Sequence, residues 1–360
     1  MKCAVLLSGG VDSSLVLARL VEQGVEVTAF YLKIWLEDEL AFLGSCPWEE
    51  DTFYARAVCE RFGVPFEVVP MQQAYYDRVI AYTIAEVRAG RTPNPDILCN
   101  QQIKFGAFYD CIGERFDKVA SGHYAQVREI EGRYRLFSSP DPIKDQTYFL
   151  ALLSQKQLSK ALFPLGDLTK AEVRQEAEKR NLPNKMRPDS QGVCFLGKLK
   201  FSEFLKAHLG VREGELREFE TGTVLGTHEG FWFYTIGQRQ GIGLSGGPWY
   251  VVAKESEKNI VFISRHYYDA DKKRDMCLIS GCNWITGAAP LEREIEVKLR
   301  HGPKRYRAYI SQKDVSGEPL GEGRHRIQLL DEQDQGIALG QFVVIYDGAE
   351  CLGGGAIERV

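Results

Sequence analysis

Five apolar residues, Cys3-Ala4-Val5-Leu6-Leu7, run directly into Ser8-Gly9-Gly10-Val11-Asp12-Ser13, and a helical pattern follows over residues 14 to 21. A short strand apolar at consecutive positions must be covered on both faces, so strand, glycine turn and helix in this order open a parallel α/β sheet. The turn is also where backbone N–H groups and a helix N-terminus converge on an anion. Gly9 and Gly10 let the backbone approach a phosphate chain closely, and Ser8 and Ser13 add hydroxyl donors. Asp12 suits either orienting those donors or holding Mg2+ against phosphate oxygens. No GxxxxGK[ST] run occurs in the chain, so the loop is not a Walker A motif. The plain alternative is a serine- and glycine-rich turn with no ligand.

The alternation continues. Patterning predicts a helix over 13–23 closed by Gly24, a strand over 25–32, a helix over 51–62 closed by Gly63 and a strand over 65–69. Helical spacing returns over 72–89 and after Cys99, a strand near 117–121, and further helices over 169–181 and 201–208. This order predicts a doubly wound, Rossmann-like parallel sheet with its ligand at the carboxyl ends of the strands. Beyond about residue 210 the texture changes to short runs rich in Val, Ile, Phe, Trp and Tyr, at 222–226, 231–234, 250–252 and 260–263. They predict a small β-rich domain, and the same texture from about 275 predicts a terminal β-barrel. With 360 residues the chain exceeds one average core, and the expected division is 1–200, 201–273 and 274–360. Gly241-Ile242-Gly243-Leu244-Ser245-Gly246 matches GxGxxG, but no long helix follows and Pro248 comes two residues later. It is expected to be a structural loop.

A net charge of −4 excludes a generally basic nucleic-acid coat and leaves such binding to local patches. One stretch qualifies: between Arg293 and Arg307 lie Lys298, Arg300, Lys304 and Arg305 with His301 and Tyr306, against Glu294 and Glu296. It reads either as an RNA-contacting strand or as a solvated β face. The 9 cysteines are odd in number, scattered and never spaced as CxxC, which argues against zinc and against a secreted disulfide framework. Met1-Lys2 followed by five apolar residues falls short of a signal-peptide core, and no apolar run is long enough to cross a bilayer. A cytoplasmic protein with no membrane partner is expected.

The loop Ser8–Ser13 resembles the PP-loop of the ATP pyrophosphatases, which implies cleavage of ATP to AMP and pyrophosphate to activate an oxygen. Residues 90–105 read GRTPNPDILCNQQIKF. The prolines keep Thr92 to Asp96 extended, and helical patterning just beyond places Cys99 near a helix N-terminus, where partial positive charge favours a thiolate. Asp96 stands three residues away, in reach of acid/base work. Taken alone, the segment reads equally as a turn followed by a buried helix cysteine. A second thiol, Cys194, follows the polar turn in Asp189-Ser190-Gln191-Gly192-Val193-Cys194-Phe195. Two thiols beside a PP-loop suggest sulfur transfer, one cysteine carrying a persulfide and the other resolving it as a disulfide.

Over essentially its full length the chain resembles the tRNA-specific 2-thiouridylases. The resemblance is carried by SGGVDSS (8–14), RTPNPDILCN (91–100), IKF (103–105), SGHYA (121–125), KDQTYFL (144–150), FPLGDLTKAEVR (163–174), DSQGVCF (189–195) and YTIGQRQG (234–241). It implies 2-thiouridine formation at the wobble position of tRNAs for lysine, glutamate and glutamine: ATP adenylates O2 of the base and sulfur from a persulfide donor protein then attacks C2. It implies an ATP site at Leu6, Leu7, Ser8, Gly9, Gly10, Val11, Asp12 and Ser13, with Leu32 beside the adenine, where the family often has methionine, and Gly122 near the nucleotide. Asn94, Pro95 and Asp96 match the target-base contact, Asp96 the acid/base, Cys99 the resolving nucleophile and Cys194 the persulfide carrier. Lys144, Asp145 and Gln146 match a tRNA contact, as an exposed polar run would allow; read without the family they are a solvated loop. Arg300 and His301 fall where the family commonly has Arg-Tyr in the terminal barrel, and Arg305-Tyr306 follows shortly, so two pairs compete for that role. Competing readings are a PP-loop enzyme acting on a small metabolite, which gives the two cysteines no role, and a nucleotide or RNA binder without catalysis.

Overall fold

Residues 1–34, 48–189 and 201–360 are described in the computed structural model of the chain. Five parallel strands form the first sheet: β1 (Lys2–Leu6), β2 (Glu26–Lys33), β3 (Phe66–Pro70), β4 (Lys118–Ala120) and the short β7 (Ala161–Leu162), in the order β3-β2-β1-β4-β7. Apolar β1 lies at the centre, with four of its five residues buried. One face is covered by α1 (Val11–Glu22) and α2 (Trp48–Phe62), which pack Leu15, Val16, Ala55 and Val58 against Val5 and Leu7. α5 (Lys170–Lys179) adds Val173 and Ala177 to the same cluster. The other face carries the helical stretches α3 (72–88) and α4 (95–112), with Tyr75, Val79, Ile103 and Phe108 packed on Phe30. Each of these two contains a π-helical segment, Tyr76–Ile80 and Cys99–Ala107 respectively, which helical spacing did not disclose. The doubly wound sheet is therefore as expected. Among the described residues no helix is long and apolar enough to cross a membrane.

After β4 the chain departs from the βα alternation. β5 (Ala125–Ile130) and β6 (Arg133–Ser138) form a hairpin whose turn residues Glu131 and Gly132 both have positive φ, 53° and 73°, the signature of a tight type I′ connection. This hairpin belongs to a different sheet, pairing Leu136 with Cys351 near the end of the chain. A four-stranded sheet follows, β8 (Gly214–Glu218), β9 (Val224–His228), β10 (Tyr250–Glu255) and β11 (Ile260–Ser264), in the order β10-β11-β8-β9. The aromatic run at 231–234, expected as a strand, is instead a 3-10 turn, Phe231–Phe233, whose Phe231 fills the core against Trp249, Val251 and Val261. The GxGxxG stretch is loop with no helix behind it, as its setting predicted.

The final strands are β12 (Met276–Trp284), β13 (Arg293–Lys298), β14 (Tyr306–Ser311), β15 (His325–Leu329), β16 (Phe342–Asp347) and β17 (Glu350–Arg359). Their order β12-β15-β14-β13-β16-β17, with β17 pairing back onto β12, closes a six-stranded barrel around Ile279, Val297, Ile310, Ile327 and Ile345. The hairpin β5–β6 extends that sheet beyond β17. Polar bonds tie the barrel to the first sheet's domain: the Tyr148 hydroxyl donates to the Phe342 carbonyl at 3.1 Å, and Thr147 and Tyr346 hydroxyls meet at 3.0 Å.

Candidate active site

At the end of β1 the Leu7 N–H bonds the Phe30 carbonyl at 2.8 Å, and the chain then turns over Ser8 to Gly10. Gly9 has φ +75°, and a Cβ there would sit 2.3 Å from the Asp51 carbonyl oxygen, so only glycine fits. The Ser13 hydroxyl accepts the Ser8 N–H at 3.2 Å and donates to the Gly10 carbonyl at 3.1 Å, which fixes the loop before any ligand arrives. α1 begins at Val11, two residues earlier than expected, with Gly10 as an extended N-cap offering no side-chain bond. First-turn N–H groups have no partner within their own helix, so those of Val11, Asp12 and Ser13 suit an anion. Val11 itself points its side chain into the core. Gly122 lies against the loop, where an added Cβ would be 3.1 Å from the Asp12 Cβ.

A cleft of about 310 Å³ opens over this loop. Leu6, Leu7, Ser8, Asp12, Ser13 and Leu32 line one part of it, with Gly122 alongside. Cys99, Ile103, Lys104, His123 and Gln146 line the rest. The phosphate-type loop and one of the two expected thiols therefore share a single cleft.

Asp12 is already engaged: its Oδ1 accepts the Tyr124 hydroxyl at 3.1 Å and the Lys170 ammonium at 2.6 Å. Lys170 also reaches Asp189 at 2.8 Å, Lys144 reaches the other oxygen of Asp189 at 2.8 Å, and Arg174 joins them. Burial works to raise the Asp189 pKa, but the hydrogen bonds and charges of Lys144 and Lys170 outweigh it and hold the carboxyl well below the ordinary range. The Tyr124 hydroxyl is pushed far up by burial and then by the Asp12 carboxylate, so it serves as a donor. Asp189 opens the segment that leads to Cys194, and Cys194 itself lies outside the described residues.

Cys99 is buried, with 3% of its surface exposed. Its helix begins earlier than patterning implied: Pro95 is the first helical residue, and the Asn94 side chain caps it by accepting the Ile97 N–H at 3.4 Å. The Cys99 N–H bonds the Pro95 and Asp96 carbonyls. Cys99 thus sits a full turn inside, where the terminal dipole has largely decayed, and the expected terminus activation is correspondingly weakened. Asn94, Pro95 and Asp96 form that cap and first turn and do not line the cleft. His123, which the sequence reading passed over within SGHYA, is buried beside Ser121, Oγ to Nδ1 2.7 Å. Burial, reinforced by Lys104, lowers its pKa well below the usual imidazole value, so it is neutral.

The run Lys144-Asp145-Gln146 is not the exposed loop that was expected. Lys144 is committed to Asp189, and the Gln146 Oε1 accepts the Tyr124 N–H at 3.0 Å beside the cleft. Asp145 and Lys298 are each 2% exposed, and their 2.7 Å ion pair joins the first domain to the barrel. Lys298 therefore drops out of the basic surface patch and Asp145 out of any surface contact. The remaining cations of that patch are also compensated: Arg300 by Asp334, Lys304 by Glu332, Arg305 by Glu296, Arg307 by Glu294 and Asp331. Arg300 and His301 lie away from the cleft, the exposed His301 ring resting on Phe149 with centroids 4.5 Å apart.

Residues 1–198 match the family described as the tRNA methyl transferase HUP domain, 202–265 its PRC-barrel domain and 274–357 the aminomethyltransferase beta-barrel domain. The tRNA-specific 2-thiouridylase MnmA of Parabacteroides distasonis is 45% identical over 363 residues, 99% of each chain. The corresponding protein of Porphyromonas gingivalis is 44% identical over 370 residues, covering 100% of this chain and 99% of its own. The chain belongs to the tRNA-specific 2-thiouridylase family. The cleft brings together the Ser8–Ser13 loop and Cys99, and Asp189 is tied to the loop's Asp12 through Lys170. Lys104 and His123, which line the cleft, and Lys170 and Tyr124, which bond Asp12, are residues that sequence reasoning did not assign, although each lies within a motif that carried the resemblance. The capping box formed by Thr169 and Glu172 could have flagged Lys170 as the first residue of a helix.

Proposed function

We propose that this enzyme converts the wobble uridine, position 34, of tRNAs for lysine, glutamate and glutamine into 2-thiouridine, using ATP and sulfur from a persulfide donor protein. The observation that carries the reading is the single cleft shared by the Ser8–Ser13 loop and Cys99. The loop's first-turn N–H groups and the close approach allowed at Gly9 fit the phosphates of ATP, and Leu32 fits an adenine face. Asp12 is the residue that would hold Mg2+, since Tyr124 and Lys170 both bond its Oδ1 and Mg2+ usually takes one or two carboxylates plus substrate phosphates; when bound it would neutralise charge on the pyrophosphate.

In this reading O2 of the uracil attacks the α-phosphorus, pyrophosphate leaves, and the N3 proton passes to Asp96, which stands outside the cleft lining in the helical turn before Cys99. The terminal sulfur of a Cys194 persulfide then attacks C2, and AMP departs with the original oxygen. The Cys99 thiolate attacks the Cys194 sulfur, the C2-bound sulfur keeps the electron pair of the broken S–S bond, and N3 regains its proton. The products are 2-thiouridine and a Cys99–Cys194 disulfide, which an external dithiol must reduce before the next cycle. Residues 1–200 carry this chemistry, while 201–273 and 274–360 hold the anticodon arm, with Arg300 and His301 at its edge. A uridine must leave its stack to reach the cleft. The test is nucleoside mass spectrometry of tRNA incubated with the protein, Mg-ATP and a persulfide donor. A gain of one sulfur for oxygen at position 34 is expected, and an unmodified tRNA with ATP consumed would refute the reading.

A further inference from the structure

The cations at 298–307 all have carboxylate partners, whereas two half-buried cations elsewhere bond only backbone carbonyls. Lys254 on β10 and Arg274, just before β12, are half-buried and line a separate cleft of about 300 Å³. There Thr92, two residues ahead of Asn94, meets Ile236 of the four-stranded sheet's domain and Leu339 of the barrel. The Lys254 ammonium donates to the Tyr234 carbonyl at 3.0 Å, and the Arg274 guanidinium to the Ile337 carbonyl at 2.6 Å. Those neutral acceptors leave both charges uncompensated, and among the described residues no carboxylate lies within ion-pair distance of either. Glu358, the acidic side chain lining this cleft, gives both its oxygens to Arg324. Burial pushes Lys254 down to about 8 and lowers Arg274 as well. A charge removed from water without a counter-charge is costly, and an anion arriving in the cleft that both side chains line recovers that cost.

We propose that this cleft is a phosphodiester subsite in which Lys254 and Arg274 together hold one backbone phosphate of the RNA near the nucleotide presented at Asn94-Pro95-Asp96. The proposal rests on the tRNA reading above. It assigns the phosphate to RNA rather than to ATP because the two clefts have no lining residue in common. The site also lies where three parts of the chain meet, so one phosphate there fixes the register of the substrate against all of them.

The experiment is tRNA binding by fluorescence anisotropy from 50 to 500 mM salt, using Lys254→Met/Arg274→Met, which keeps the apolar stems. Loss of one phosphate contact predicts binding about tenfold weaker at 50 mM salt and a log-log slope shallower by about 0.7 to 0.9. The charge-preserving pair Lys254→Arg/Arg274→Lys should keep the parent slope. ATP affinity and inhibition by inorganic pyrophosphate should be unchanged in both. A parent slope in the methionine pair, with an unchanged melting midpoint, overturns the proposal. So does equal loss in the charge-preserving pair, which would make the residues structural, or altered pyrophosphate inhibition at an unchanged tRNA slope, which would assign the cleft to free phosphate. Thiolation by the parent enzyme is scored separately, so failure of this subsite and failure of the tRNA reading give different results.

Discussion

Removing one partner of the Asp145–Lys298 pair should cost far more than removing both. The two side chains are 2% exposed and 2.7 Å apart. Lys298→Met leaves the Asp145 carboxylate with Thr147 alone, whose hydroxyl lies 2.9 Å from each oxygen and whose N–H donates to Oδ1 at 3.4 Å. Asp145→Leu leaves the ammonium with the face of Tyr346, 5.4 Å from the ring centre. An uncompensated buried charge costs about 3–5 kcal/mol, whereas an apolar pair of similar volume is often neutral or stabilising by about 1–4 kcal/mol. Each single variant should therefore lose about 3–5 kcal/mol, reduced in Asp145→Leu by a cation–π contact worth about 0.5–2 kcal/mol. The double variant Asp145→Leu/Lys298→Met should lie near the parent, giving a coupling energy of about 3 kcal/mol or more. Urea denaturation followed by tryptophan fluorescence measures all four corners of the cycle. A single-variant cost below about 1 kcal/mol, or a double-variant cost equal to the sum of the singles, would refute the argument that this pair is a desolvated, mutually dependent unit.

Four further outcomes are expected. Gly9→Val places a side chain against the Asp51 carbonyl and, like Asp12→Ala, should abolish tRNA-dependent pyrophosphate release; release by both at the parent rate removes the nucleotide assignment. Lys170→Gln unties Asp12 from Asp189 and should lower kcat/KM for ATP by about tenfold or more, the worth of one charge-assisted hydrogen bond, as read by a pyrophosphate assay. Cys194→Ser should stop thiolation from a persulfide donor while leaving ATP binding intact, and Cys99→Ser should block persulfide transfer but keep slow thiolation with free sulfide. Peptide mapping that never traps a Cys99–Cys194 bond during reductant-free multiple turnover refutes this pairing. Burial lowers the folded-state pKa of Lys254 from 10.5 to about 8, so the unfolded chain binds the extra proton between those values and this residue's contribution makes stability rise with pH across that window. Its contribution to tRNA binding runs the other way, present below pH 8 and lost above it, and a Lys254→Met variant should lack both trends.

The central sheet was legible because it is written in local signals. Cys3 to Leu7 is apolar without alternation, Gly24 and Gly63 close their helices, and strand and helix alternate at the expected lengths. The hairpin β5–β6 was legible in principle, since Glu131-Gly132 separates two alternating runs, but its destination was not: Leu136 pairs with Cys351, more than two hundred residues away. Long-range partners likewise decided the site. Nothing local distinguishes Lys298, which is buried on Asp145, from Arg300, which is exposed on Asp334. Counting cations along 298–307 overstated the field of that face because each counter-charge comes from another strand or loop. Lys144 was misread for the same reason: its partner Asp189 is forty-five residues on.

The same distinction explains how Cys99 comes to share the cleft with Lys104 although its helix terminus lies a turn away. In an α-helix, residues five apart differ by about 140° in direction, so a helix presenting residue 99 to the cleft would turn residue 104 aside. Over Cys99–Ala107 the winding is π, with hydrogen bonds closing on the fifth residue instead of the fourth, and residue 104 comes back beneath residue 99. Gly106 fits that winding closely: a Cβ there would sit 2.8 Å from the Gln101 carbonyl oxygen. Cys99, Ile103 and Lys104 consequently all line the cleft, while Phe105 and Phe108 remain in the core. A lysine on the same helix thus shares the cleft with Cys99, and the wide turn that brings it there is sustained by tertiary packing rather than by any periodicity visible in CNQQIKFGA.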